Sequence, residues 1–89
     1  MTTAAPLEFA LHARSFSHPW LSFFFFSREG HEPRHIHVEQ AERYVKFWLE
    51  PIELAESPGF RGPDLRELHS IIAEHRDKFI IAWDEHFGQ

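Results

Sequence analysis

Four consecutive phenylalanines, Phe23 to Phe26, constrain this chain more than any other feature. Successive side chains of a strand point to opposite faces, so a run this apolar needs hydrophobic cover on both sides. Leu21 to Ser27 therefore reads as a central strand, and its aromatic content favours strand over helix. Before it, LEFALHA sets Leu7, Phe9 and Leu11 against Glu8, Ala10 and His12, the period-two pattern of a half-buried strand. A short polar stretch with Pro19 separates the two. Arg28 to Arg34, with Gly30 and Pro33, is a turn. His35-Ile36-His37-Val38 alternates again, and Tyr44 to Leu49 places Val45, Phe47 and Leu49 on one side. EQAER, residues 39–43, joins these last two as a polar hairpin without an Asn-Gly type signal. Three to four antiparallel strands within about residues 7–49 are expected.

The second half has a different period. Pro51 opens a short helical or turn segment, residues 51–56, that stops at Ser57-Pro58-Gly59. Pro63 suits the first turn of a helix, and Asp64 and Glu67 put negative charge where the dipole favours it. Leu65, Leu68, Ile72, Phe79 and Trp83 recur at helical spacing, and Gly88 is a natural stop. A helix over 63–87 would be about 36 Å long, with a break near His75-Arg76 as the alternative to one continuous rod. The fold class expected is α+β: a small antiparallel sheet packed against a long C-terminal amphipathic helix, in one domain spanning 1–89.

Composition limits what such a domain can do. At 89 residues it buries only about 60 to 65% of its unfolded surface, so ten Phe and three Trp must make the core dense, and self-association would add to it. The absence of cysteine removes disulfides, thiolate metal sites and thiol nucleophiles. MTTAAPLEFALHARS has neither an early basic cluster nor a sustained apolar run, and WLSFFFF is far short of a membrane span; a soluble cytoplasmic protein is expected. A net charge of −5 disfavours RNA or DNA as partner. Arg28, Arg34, Arg43 and Lys46 surround the histidines, but Glu29, Glu32 and Glu42 lie among them.

Three of the eight histidines fall within seven positions of GHEPRHIHV, residues 30–38. His35 and His37 share one face of their strand, with Cα atoms about 6.6 to 6.8 Å apart. Both imidazoles can converge on one ion at about 2.0 to 2.1 Å per Zn–N bond, and His31 can fold back across the turn as a third ligand. Pro33 restricts its own φ and pushes Glu32 toward extended geometry. A carboxylate from Glu29 or Glu32 could join. Zinc or another divalent ion on His31, His35 and His37 is thus the sharp reading. The plain one is that His35 and His37 line a solvated sheet face.

A metal-independent ribonuclease or toxin is the main alternative. His35 and His37 would be its acid and base, Glu32 or Glu29 the orienting carboxylate, and Arg34 or Lys46 the phosphate contact. Nucleophilic catalysis lacks support, since no elbow motif surrounds Ser22 or Ser27. His75 and His86 share the packing face of the helix, where each could meet the cluster or simply border the core. His12, His18 and His69 read as surface residues. Tyr44, Phe47 and Trp48 read as core before they read as a base-stacking platform. A third option is that the histidines only shape a protein interface.

SREGHEPRHIHV, KFWLEPIELA and HRDKFIIAWDEHF together resemble the small bacterial proteins grouped as domain of unknown function 4160, over about Leu21 to Phe87. The most specific match is an H-x-P-P-H-x-H signature at His31, Pro33, His35 and His37. Arg34 departs from it where a second proline is expected, which loosens the turn and sets a basic side chain at the rim of the site. The resemblance implies a sheet packed on a C-terminal helix, a bacterial cytosolic origin and a packing role for Trp83. It also implies one member of a paired, toxin–antitoxin-like gene system, hence a co-encoded protein partner or an RNA-directed activity. It brings no established activity.

Overall fold

The computed structural model describes the backbone of residues 6–13 and both backbone and side chains of residues 21–88. Five strands form one antiparallel sheet in chain order: β1 (Pro6–Ala13), β2 (Leu21–Phe26), β3 (His35–Gln40), β4 (Arg43–Leu49) and β5 (Ile52–Glu56). Among the described residues one helix, α1 (Gly62–Phe87), follows. The antiparallel sheet packed on one C-terminal helix is the α+β arrangement that the two periodicities imply.

The phenylalanine run behaves as its pattern demands. Phe23 and Phe25 enter the core with Leu21, Ile36, Val38, Val45, Phe47 and Leu49, and α1 covers this face with Leu68, Ile72, Phe79 and Trp83. Phe23 stacks on Phe79 at 5.6 Å between ring centroids, and Phe25 meets Trp83 at 5.1 Å. Complete burial of a large side chain contributes about 1.5 to 3 kcal/mol, so these rings carry much of the stability. Phe24 and Phe26 point to the opposite face, where they meet histidine rather than the helix.

Residues 51–56 depart from the sequence reading. Ile52 to Glu56 pair with β4 as an edge strand, and the hairpin turns at Glu50 and Pro51 through a cis peptide. Glu, Leu and Ala suggest helix, but pairing with β4 overrides that weak preference. The ladder shifts between the Lys46↔Glu56 and Phe47↔Leu54 pairs, leaving Ala55 as the extra residue of a bulge. The β3–β4 hairpin forms where EQAER places it, with Ala41 at a φ of 55°.

The helix is continuous through His75 and Arg76. It begins after Arg61 without a side-chain cap, has Asp64 in its first turn, and ends at Gly88 in the left-handed conformation, whose N–H donates to Asp84 O at 2.8 Å. Gly59 turns the chain into the helix at a φ of 92°, hard against Arg43. Gly30 lets the β2–β3 turn approach the Phe87 ring; a Cβ there would lie 2.5 Å from Phe87 Cδ1. No helix among the described residues is long and apolar enough to cross a membrane. The stretch around Pro19 and His18 lies outside the described residues, as do the side chains of Leu7, Phe9, Leu11 and His12.

Candidate metal centre

Strand alternation puts His35 and His37 on the face opposite Ile36 and Val38. Register then places Phe24 and Lys46 on either side of His37, and Trp48 beside His35. That face is not solvated at the histidines, which are 0% and 2% exposed. Their enclosure is aromatic: Phe24, Phe26 and Tyr44 surround His37 at 5.1 to 5.6 Å, while Trp48 and Trp83 flank His35 at 5.6 and 4.8 Å. Two polar rings in so dry a place need partners.

Glu29 supplies the central one. The turn after β2 folds back so that the Phe26 amide donates to Glu29 Oε1 at 2.8 Å, and the Glu29 amide donates to Phe26 O at 3.2 Å. This local ring aims the carboxylate at the strand. His37 Nε2 lies 2.9 Å from both carboxylate oxygens, and His35 Nε2 lies 2.9 Å from Oε1. Burial pushes the Glu29 carboxyl up, but the hydrogen bond from the Phe26 amide and the two imidazoles beside it outweigh this and hold the group below the ordinary range. Burial depresses His37, and Glu29 only partly offsets it.

Both outer nitrogens are anchored. His35 Nδ1 is 2.9 Å from the Pro33 carbonyl, which can only accept, so this nitrogen carries the proton. A neutral His35 therefore turns an Nε2 lone pair toward Glu29. His37 Nδ1 is 2.8 Å from the Tyr44 hydroxyl. That hydroxyl is kept protonated by burial first and by Glu56 next. When it donates to His37 Nδ1, Nε2–H donates to Glu29; when it accepts from Nδ1, the Nε2 lone pair turns toward the carboxylate.

In that second state two lone pairs and a carboxylate face one another and repel unless a cation lies among them. The contact between His35 Nε2 and Glu29 Oε1 is short but off-line for a hydrogen bond, leaving that buried nitrogen without a hydrogen-bond partner. Two donors bound tetrahedrally to one ion, each at about 2.0 to 2.1 Å, would stand about 3.3 to 3.4 Å apart, a few tenths of an ångström beyond the 2.9 Å contacts. The ligand atoms of Glu29, His35 and His37 all lie within 4.8 Å of one another. That tetrahedral spacing lies well inside this limit, so the closest pairs would open slightly and the widest would draw in on binding. Anchored outer nitrogens are what metal-ligating imidazoles need. The donor set fits a divalent ion such as zinc.

The other candidate residues have different places. His31 is 75% exposed, 3.8 Å from Glu32, and is not in the group of three. Glu32 binds Lys46 at 2.7 Å, and the Lys46 ammonium sits 4.6 Å from the centre of the Trp48 ring. Arg34 reaches Asp84 at 2.6 Å and Glu50 at 3.1 Å, tying the turn to the helix. His75 and His86 touch Phe79 and Phe25 and stay outside the group; His69 is exposed near Phe47. Trp83 is buried against Phe25, Phe87 and His35. Tyr44 is the residue that sequence reasoning passed over. Its signal was the β3–β4 register, which sets position 44 diagonal to 37 on one face.

Comparison with curated proteins and with solved structures finds no match. A family model does match, over residues 21–84, which covers β2 to the last turns of α1 and every residue of the histidine–glutamate group. The chain belongs to the family described as domain of unknown function (DUF4160).

Proposed function

We propose that this chain is a small bacterial cytoplasmic interaction module whose turn and third strand hold a divalent metal ion, zinc first, through Glu29, His35 and His37. The observation that carries the reading is the convergence of His35 Nε2 and His37 Nε2 on one carboxylate at 2.9 Å, with each Nδ1 held from behind, by Pro33 O and Tyr44 Oη. Three protein ligands leave a coordination position for water. Membership of a co-encoded gene pair rests on the family resemblance.

The ribonuclease alternative has less support. An acid and base 0% and 2% exposed are closed to a phosphodiester, and Arg34 is engaged by two carboxylates. The test is elemental analysis of tag-free protein after dialysis without chelator, followed by zinc titration. Wild type and His31→Ala should hold one ion per chain, while Glu29→Gln and the His35→Ala/His37→Ala double variant should hold little. Wild-type protein that is folded, metal-free and unable to take up zinc would sink the proposal.

A further inference from the structure

The sheet ends at β5, whose outer edge has no strand beside it among the described residues. An edge strand offers alternate N–H and C=O groups to any extended chain that reaches it. Its two faces differ. Ile52 and Leu54 stand opposite Leu49 and Phe47 on the helix side, whereas Glu53 and Glu56 stand opposite Trp48 and Lys46 on the other.

On the helix side α1 does not close over the edge. Between β5 and the first turns of the helix runs a groove of about 460 Å³, lined by Phe47, Ile52, Leu54, Leu65 and His69 among others. Leu54 is 45% exposed along it. On the other side Glu53 is exposed and has no ion-pair partner among the described residues, and Lys46, opposite Glu56, is engaged by Glu32. A strand added beside β5 would therefore send alternate side chains into an apolar groove and next to carboxylates.

We propose that the β5 edge is a docking site for an extended segment of a partner protein, with apolar side chains on one face and lysine or arginine on the other. The apolar face seats against Leu54 and Leu65, and the basic face lies beside Glu53 and Glu56. A second copy of this chain fits poorly. Its own β5 would bring glutamates against glutamates, and each chain carries a net charge of −5. Main-chain pairing supplies affinity and the alternating pattern supplies selection. The surface holds none of the three metal ligands, so failure of either proposal leaves the other standing.

The test titrates ¹⁵N-labelled full-length chain with a synthetic eight-residue peptide alternating leucine and lysine, and with a matched peptide alternating leucine and glutamate. Saturable shifts confined to residues 52–56 and 65–70 are expected for the lysine peptide. Leu54→Lys or Glu53→Lys, both at exposed positions, should weaken binding at least about ten-fold. No saturation at millimolar peptide, equal binding of both peptides, or shifts centred elsewhere would overturn the proposal. So would sedimentation showing a dimer of the chain that Leu54→Lys dissociates.

Discussion

His35 Nε2 and Glu29 Oε1 stand 2.9 Å apart, the imidazole fully buried and the carboxylate 15% exposed, with no hydrogen aligned between them. The carboxylate has no proton to give, because the Phe26 amide and the imidazoles favour its ionised form. The ring has its proton on the far nitrogen, toward Pro33 O. An ion that accepts both lone pairs removes the repulsion. Glu29→Gln keeps the shape and deletes the charge, so zinc affinity should fall by more than the roughly 10- to 100-fold that an outer partner is worth. Competition against a chromophoric chelator measures it. Unchanged affinity would remove Glu29 from the ligand set.

Tyr44→Phe tests the outer shell. It deletes the hydroxyl that anchors His37 Nδ1 while keeping the ring that stacks 5.6 Å from that imidazole. Zinc affinity should drop about 10- to 100-fold with little change in helix and sheet content. Circular dichroism beside the same chelator competition separates the two effects. A Tyr44→Phe protein that binds zinc as wild type does would show that the hydroxyl does not orient the ligand.

The pH dependence of the metal-free protein has a definite sign. His37 has its folded pKa below the ordinary 6.5, and Glu29 has its folded pKa below the ordinary 4.5. In each case the unfolded chain binds the proton more readily, so both contributions are present above the unfolded values and are lost on acidification. Urea unfolding in chelator should give stability that begins to fall as pH drops through about 6.5 and falls further below about 4.5. In His37→Gln the first of these declines should be reduced. Stability that instead rises on acidification from pH 7 to 5 would contradict the assignment of a neutral His37.

The fold was readable where side-chain period and burial coincide. Phe23 to Phe26 require cover on two faces, and Leu68, Ile72, Phe79 and Trp83 mark one stripe of a helix. The fifth strand was not readable, because Ile52 and Leu54 alternate over too few residues to outweigh Glu53 and Ala55, and only the neighbouring β4 decides their state. The face shared by His35 and His37 followed from alternation. Their burial did not, since it depends on rings from β2, β4 and α1 that close around them. Glu29 and Glu32 are both within reach of the cluster in sequence. What separates them is the turn itself, where the Phe26 amide captures one carboxylate and Lys46 the other.

Ala41 shows the same limit in the backbone and gives a prediction of stability alone. The β3–β4 hairpin closes between Gln40 and Arg43 with Ala41 at a φ of 55°, a left-handed conformation that costs a residue with a Cβ about 1 to 2 kcal/mol. The sequence had no Asn-Gly pair to announce the turn, yet pairing along six positions of β3 holds it closed. Ala41→Gly relieves the strain but adds freedom to the unfolded chain worth about 0.4 to 1 kcal/mol. The net gain should be about 0.5 to 1 kcal/mol, with zinc affinity unchanged because Ala41 touches none of Glu29, His35 and His37 in the metal group. Urea midpoints of the two proteins at one pH measure the difference. A destabilised Ala41→Gly would mean that the left-handed turn is not the conformation this hairpin adopts.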